Sequence, residues 1–363
     1  MLDVALRGLS FRYRGGFALR EVNALFPKGS HTSLVGPPGC GATTLLRLIA
    51  GELHPEQGDV VIGARPVTEL KPARRPLLFV TAEHGLPGRW SVQHALVAAV
   101  RARSLDREDR LREYELALVK WELTTLVERR LDALSATEGL RVHLARIELL
   151  RPGIVLADRL LERASPAARE SLADELHRTL RVLGTTVISA PSARSELAYT
   201  DRVVVLGDGR VLQSGGAAEV FAAPIDDAAA IGTGEINAVP VTIRGNTVES
   251  VIGNWEVSAP SFQGNGIALA RPADFHIAER GEESDLIFGI EEAGFSEGRW
   301  IARGLLSGGF LLKVQLPREA AVSKGKLLPL RYDPSRFRLL PRETPERHTS
   351  VPTDVVPLLR DSR

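Results

Sequence analysis

Residues 32–46 read TSLVGPPGCGATTLL, a short apolar strand followed by a glycine-rich turn and the start of a helix. Apolar residues then recur at helical spacing from Leu45 to Ile49, until Gly51 ends the pattern. A strand, a glycine-rich turn and a helix that opens with two threonines form the layout of a phosphate-binding loop. Glycines let successive backbone N–H groups and the helix N-terminus point at a phosphate. This stretch therefore predicts an α/β fold with a phosphate-binding loop.

The composition is that of a globular protein with two domains. The chain has 363 residues, of which 44% are apolar and 25% charged, and its formal net charge of +1 predicts no nucleic-acid partner. Cys40 is the single cysteine, which excludes an internal disulfide and fits a reducing cytoplasm. No apolar run approaches the roughly 20 residues of a membrane span, and the N-terminus lacks the layout of a signal peptide. We therefore expect a cytoplasmic protein that reaches a membrane only by docking.

Strand and helix patterns alternate along the first part of the chain and change in character after about Ile231. Residues 1–232 are predicted to form the α/β domain, in which about 88–150 build a helical subdomain whose pattern is helical from 91 to 134. Residues 233–341 are punctuated by glycines and alternate as half-buried strands do, which predicts a small all-β, barrel-like domain. Residues 342–363 are charged, aperiodic and rich in proline, which predicts a mobile tail.

Residues 33–51 resemble the first nucleotide motif of ABC transporter ATP-binding subunits, and further motifs of that family follow in order along most of the chain. The resemblance implies an ABC-type nucleotide-binding domain with Mg²⁺ and ATP as ligands. It implies that Thr43 and Asp158 hold the metal, and that Tyr13 stacks on adenine, with a packing role for Tyr13 as the alternative. The nucleotide-binding candidates are Tyr13, Gly36, Pro37, Gly39, Cys40, Gly41, Ala42, Thr43, Thr44 and Arg159.

Several positions depart from the family pattern. Ala42 stands where the family has the lysine that contacts the outer phosphates, and Arg159 stands where it has the glutamate that polarises the attacking water. A guanidinium cannot act as a general base, because its pKa lies far above neutrality. The remaining departures are Thr81 or Ala82 for the coupling glutamine, Ser165 for an aspartate, and Ala190 or Pro191 for the switch histidine.

The signature motif of the family, Leu-Ser-Gly-Gly-Gln, corresponds here to residues 134–138. Ser135, Ala136, Thr137 and Glu138 replace its bare helix start with side chains. Ser135 followed three residues later by Glu138 predicts a capping box that satisfies the helix start internally. Glu138 would also repel a phosphate that the helix dipole would otherwise attract. A second signature-like run at 306–309 lies between strand patterns and is interpreted as a turn.

Two interpretations of Arg159 follow from its position. In one, it supplies the phosphate-binding charge that Ala42 cannot supply. In the other, it is a surface or salt-bridged arginine, with Asp158 as a candidate partner. With a competent loop, the chain would bind Mg-ATP; with a relic loop, binding would be weak or absent.

Residues 234–237 and 270–274 resemble the regulatory β domains, of OB-like TOBE type, of importer ATPases for sugars and polyamines. The resemblance implies a subunit at the inner face of the cell membrane that docks on transmembrane permease subunits and pairs with a second ABC ATPase subunit. It would meet a substrate-binding protein indirectly and serve transport of a sugar-like solute. An active ATP-hydrolysing subunit and a soluble regulatory or scaffold pseudo-ATPase are the alternatives.

Overall fold

A computed structural model describes residues 2–82, 86–225, 234–279, 281–296, 299–306, 309–320 and 322–341. The chain divides into two compact units, one up to Val220 and one that begins at Phe221. The predicted tail at 342–363 lies outside the described residues, as does part of the predicted turn at 306–309. Within the described residues, no helix is long and apolar enough to cross a membrane.

The first unit contains two β-sheets. A four-stranded antiparallel sheet has the order β2-β1-β4-β5, and a six-stranded sheet has the order β10-β9-β3-β8-β7-β6. In the second sheet all neighbouring strands are parallel except the hairpin pair β9 and β10. The strands of the two sheets are β1 Val4–Arg12, β2 Ala18–Phe26, β3 His31–Val35, β4 Gln57–Ile62, β5 Arg65–Pro66, β6 Leu78–Thr81, β7 Ile154–Asp158, β8 Thr186–Ala190, β9 Arg202–Gly207 and β10 Arg210–Gly216.

Within the described residues, six α-helices accompany these strands. They are α1 Ala42–Ala50, α2 Val92–Arg101, α3 Arg107–Lys120, α4 Ala136–Leu150, α5 Pro166–Leu183 and α6 Ala217–Ala222. One buried cluster centres on α1 and the parallel strands, and a second joins α2, α4 and α5. The predicted α/β fold and the strand leading into the phosphate loop are confirmed.

The stretch from 121 to 134 differs from its predicted helical form. Glu122 has a left-handed backbone with φ of 53°, and only two short 3₁₀ turns, Thr124–Leu126 and Leu131–Ala133, follow. Trp121 and Leu123 are both buried, at 2% and 0% exposure. Two buried side chains two residues apart point to different sides of a helix, so the chain must turn to bury both.

The second unit is all-β, as predicted. Two five-stranded antiparallel sheets have the orders β13-β12-β11-β14-β20 and β15-β19-β16-β17-β18. Alternate residues of β11, including Val239, Val241 and Ile243, are buried, because successive strand residues face opposite sides. The strands are β11 Asn237–Arg244, β12 Thr247–Ser250, β13 Gly253–Glu256, β14 Gly264–Ala270, β15 Phe275–Ile277, β16 Leu286–Ser296, β17 Arg299–Leu306, β18 Leu311–Leu316, β19 Leu327–Tyr332 and β20 Arg338–Pro341.

Arg75 fastens the C-terminal end of α1. Arg75 is 5% exposed, and its guanidinium donates to the backbone carbonyls of Leu48 and Ile49 at 2.8 Å and to those of Thr68 and Leu70. Burial lowers the pKa of Arg75. The last carbonyls of a helix have no partner within the helix. The Leu48 carbonyl also accepts from the Gly51 amide at 3.1 Å, whereas Arg75 is the donor that the structure provides for the Ile49 carbonyl.

We expect Arg75→Met to destabilise the first unit by about 3 kcal/mol, since it strands buried carbonyls while keeping side-chain volume. The exposed neighbour provides the matched control, and Arg74→Met should change stability by less than about 0.5 kcal/mol. Urea denaturation of both variants, with hydrogen exchange of the α1 amides, measures the difference. Equal denaturation midpoints for the two variants would contradict this role.

Candidate nucleotide site

The phosphate loop joins β3 to α1. Gly41 is the N-cap of α1 with φ of 104°, and no side chain caps the helix. The first N–H groups of a helix lack intrahelical acceptors, so the uncapped start of α1 can donate to a phosphate. Within the loop, the amide of Cys40 donates to the carbonyl of Pro37 at 2.9 Å, and Gly39 is left-handed with φ of 81°. The loop therefore has the backbone geometry predicted for it.

Two glycines of this loop have no room for a side chain. A Cβ on Gly36 would lie 2.2 Å from the carbonyl oxygen of Leu206 on β9. A Cβ on Gly41 would lie 2.7 Å from Cζ of Phe17. The first contact is with sheet backbone, so glycine is required at position 36 for the loop to sit against the sheet. At position 41 the φ of 104° also favours glycine, whatever the Phe17 side chain does. Ala42 is the first residue of α1, and its uncharged side chain places no positive charge in the loop.

The two predicted metal ligands come together. The Thr43 hydroxyl donates to Oδ1 of Asp158 at 3.0 Å. Asp158 is the last residue of β7 and is 7% exposed. Burial raises the pKa of its carboxyl group, while the hydrogen bond from Thr43 and the charges of Arg47 and Arg159 act to lower it. The next residue, Thr44, is itself buried at 8% exposure. Thr43 and Asp158 are thus the residues of this pair of motifs that could hold a cation.

Arg159 has an unusual backbone and an ion pair of its own. Its φ is 49°, and its amide donates to the carbonyl of Ala190 at 2.9 Å. The guanidinium is 56% exposed and forms an ion pair with Glu162. The salt-bridged interpretation of Arg159 therefore fits, but the candidate partner Asp158 was wrong: the partner three residues on presents its carboxylate where the exposed guanidinium can reach it.

Tyr13 belongs to an aromatic cluster near the loop. Its ring lies edge-on to Phe11 with centroids 4.8 Å apart and 6.5 Å from the centroid of Phe17, and its amide donates to the carbonyl of Phe17 at 2.9 Å. Phe17 is the ring that reaches Gly41. Sequence reasoning missed Phe17; its position four residues after Tyr13, across the Gly15–Gly16 turn, was the available signal.

The positions that depart from the family pattern lie at neighbouring strand ends. Thr81 of β6 is in register with Asp158 of β7, and Asp158 is in register with Ala190 of β8. Parallel strands end at one edge of a sheet, where ligands of α/β proteins commonly bind. Ser165 accepts a hydrogen bond from the amide of Ala168 at 3.3 Å and so caps α5.

The predicted capping box at the start of α4 is present. The Ser135 hydroxyl accepts from the Glu138 amide at 3.3 Å, and the Glu138 carboxylate accepts from the Ser135 amide at 2.7 Å. The Ser135 backbone N–H lowers the pKa of Glu138, and Arg129 lies 3.5 Å from its carboxylate. Ala136 and Thr137 form the first two positions of the helix. Two of the helix-start donors are therefore engaged within the chain.

Comparison with known proteins identifies the family. The family model described as ABC transporter matches residues 19–160, which include the phosphate loop and Asp158. The Fe(3+) ions import ATP-binding protein FbpC of Streptomyces avermitilis is 32% identical over 77% of this chain and 81% of its own length. The sn-glycerol-3-phosphate import ATP-binding protein UgpC 3 of Agrobacterium fabrum is 30% identical over 79% of this chain and 82% of its own length.

Solved structures agree on the fold. The dimeric bacterial ABC transporter cassette MJ0796 superposes with a TM-score of 0.52 at 21% identity, over 59% of this chain and 98% of that one. CbiO1 of Clostridium perfringens, part of an ABC transporter complex, superposes with a TM-score of 0.51 at 22% identity, over 60% of this chain and 90% of that one. The identity to the import ATP-binding relatives shows that the chain belongs to the importer-type ATP-binding subunits of ABC transporters.

Proposed function

We propose that the chain is a catalytically degenerate ATP-binding subunit of an ABC importer. It docks on transmembrane permease subunits at the inner face of the cell membrane, pairs with a second ABC ATPase subunit, binds nucleotide and does not hydrolyse it. The observation that supports this proposal is the sheet edge formed by Thr81, Asp158 and Ala190. Asp158 is the one carboxylate among these three residues, and the residue that follows it is Arg159. A guanidinium at this place cannot accept a proton from water.

Retained loop geometry supports nucleotide binding. The uncapped start of α1 offers backbone donors, and such contacts do not require the lysine that Ala42 replaces. The loss of that charge predicts weaker binding than a lysine-containing loop would give. Tyr13 is the proposed aromatic neighbour of the base, with the ring of Phe17 beside it.

The C-terminal unit is proposed to be a regulatory domain of OB-like TOBE type. Its two antiparallel sheets and its position after the α/β unit support this assignment. The limits 1–232, 233–341 and 342–363 remain predictions. A sugar-like solute also remains a prediction, since the names of the relatives cover iron ions, spermidine and putrescine, glycerol phosphate, and molybdate or tungstate.

Assembly with membrane subunits is the test of this function. We expect the tagged chain, expressed in its own host and extracted in mild detergent, to co-purify with a membrane-spanning permease and a second ABC subunit identified by mass spectrometry. A soluble scaffold protein would instead be recovered without either subunit. Recovery from the soluble fraction alone, with no permease in the extract, would contradict the proposal.

A further inference from the structure

Phe17 and Leu19 pack against the start of α1. A Cβ on Gly41, the N-cap of this helix, would lie 2.7 Å from Cζ of Phe17 and 2.8 Å from Cδ2 of Leu19. The two side chains therefore fill the space beside the backbone that leads into the first amides of α1. Leu19 is a core residue at 1% exposure, whereas Phe17 is partly buried and packs against the same cluster. Phe17 is thus the one that a substitution can remove with the smaller loss of core packing.

The N-cap of α1 has no side-chain hydrogen bond to hold it. The hydroxyls of Ser135 and Ser165 accept from amides in the first turns of α4 and α5, but Gly41 provides no such acceptor to α1. Glycine has the widest backbone freedom of any residue, so this N-cap is the most easily reoriented of the three. Packing against Phe17 and Leu19 supplies a restraint that a side-chain cap would otherwise supply.

The backbone of Phe17 is fixed from two sides. Its carbonyl accepts from the Tyr13 amide at 2.9 Å, across the turn that precedes β2. Three residues further along the chain, the Arg20 amide donates to the carbonyl of Gly209 at 2.8 Å, in the turn between β9 and β10. A ring on such a support restrains the phosphate loop before any nucleotide binds, and preorganisation of this kind raises affinity.

The β9–β10 hairpin also contacts the other end of the phosphate loop. The Leu206 carbonyl of β9 lies 2.2 Å from the position that a Cβ on Gly36 would take. Sheet backbone thus restrains the strand end of the loop, whereas side chains restrain its helix end at Gly41. A substitution of Phe17 therefore loosens the helix end and leaves the strand end in place.

We infer that Phe17 is a positioning residue of the nucleotide site, which holds Gly41 and the first amides of α1 in the orientation that meets a phosphate. The inference rests on the proposed nucleotide binding. Tyr13, the proposed neighbour of the base, has its closer ring contact with Phe11, at 4.8 Å against 6.5 Å to Phe17. Removal of the Phe17 ring should therefore weaken binding of the phosphate chain and leave the contribution of the base nearly unchanged.

The experiment is calorimetric titration of the full chain with AMP and with ATP, in one buffer with excess MgCl₂. The ratio of the two affinities measures what the outer phosphates contribute. For the native chain we expect ATP to bind about tenfold or more tightly than AMP, because hydrogen bonds to charged phosphates are strong. For Phe17→Ala we expect an AMP affinity within about twofold of the native value and a ratio lowered about fivefold or more. A merely structural role would lower both affinities alike and leave the ratio unchanged.

Two further variants complete the test. Phe11→Ala removes a ring that is closer to Tyr13 but is not among the atoms nearest to Gly41, so it should keep the native ratio. Phe17→Leu keeps an apolar side chain without the ring atom that reaches Gly41, so its ratio should fall even where Phe17→Ala does not fold.

Three results would overturn the inference and leave nucleotide binding intact. They are equal affinities of the native chain for AMP and ATP, a native ratio in the folded Phe17 variants, and a ratio in Phe11→Ala that falls as far as in Phe17→Ala. Absence of binding of either nucleotide to the native chain would overturn both the inference and the proposed nucleotide binding.

Discussion

The purified chain is expected to release phosphate from ATP no faster than a buffer blank. Arg159 provides no base, and Ala42 provides no charge for the outer phosphates. The start of α4 is engaged by its own Ser135–Glu138 capping box. Removing one contact that stabilises transition-state charge costs about 10²–10³-fold in rate, so losses of several kinds together predict a reduction of at least about 10⁴-fold.

Steady-state phosphate release measures this directly, and one matched variant separates the chain from contaminants. Asp158→Asn keeps the side-chain volume and removes the carboxylate that Thr43 contacts. A trace of activity that is equal in both preparations comes from another protein. Turnover in the native chain that Asp158→Asn abolishes would identify an active ATPase and contradict the proposed degeneracy.

Local patterns predicted the fold well. The strand at β3, the glycine turn and α1 are contiguous in sequence, so their geometry follows from short-range preferences that residues 32–46 display. The alternation in β11 likewise follows from burial of one sheet face. The capping box of Ser135 and Glu138 could be predicted because both partners lie within one turn.

The features that the sequence did not predict depend on tertiary contacts. Spacing along the sequence does not show which of several nearby residues will form such a contact. Arg159 has carboxylates at Asp158 and Glu162 nearby in sequence, and its guanidinium pairs with Glu162. Phe17 reaches Gly41 because of how the loop that follows β1 folds over the phosphate loop. The turn at Trp121 reflects tertiary burial, which overrode the local helical propensity.

Acidification below pH 6.5 is expected to lower the stability of the first unit steeply, because the folded unit buries histidine side chains in their neutral form. His31 is 8% exposed, and its Nε2 lies 2.7 Å from the Ser189 hydroxyl. The ring of His177 stacks between those of His31 and Tyr199, with centroid distances of 4.8 and 4.3 Å. Burial lowers the pKa of His31 to about 4 and that of His177 to about 3.

Two aspartates and an arginine also face these rings. Asp174 and Arg181 of α5 and Asp201 before β9 act on His177, and the two carboxylates favour its charged form while Arg181 opposes it. Burial outweighs the carboxylates, so the net direction is a lowered pKa. Asp158 and Glu196, whose pKa values burial raises, contribute with the opposite sign and partly offset the loss as the pH falls.

The stability of the first unit falls with decreasing pH because the pKa of each of these histidines is lower in the folded chain than the ordinary value of 6.5. The unfolded chain takes up protons that the folded chain refuses, so stability is complete above pH 6.5 and falls as the pH drops toward 4 and 3. Each histidine contributes a slope of about 1.4 kcal/mol per pH unit. At pH 5 the pair His31 and His177 therefore costs roughly 4 kcal/mol relative to neutral pH.

Urea denaturation midpoints between pH 5 and pH 7 measure this slope, and one substitution isolates half of the pair. His177→Phe keeps a flat ring between His31 and Tyr199 and removes one titrating group, so the slope should fall by about 1.4 kcal/mol per pH unit. His54→Gln is the control, because that side chain is 64% exposed and lies outside the stack. Equal slopes for the native chain and His177→Phe would contradict the assignment of this part of the acid sensitivity to the His177 ring.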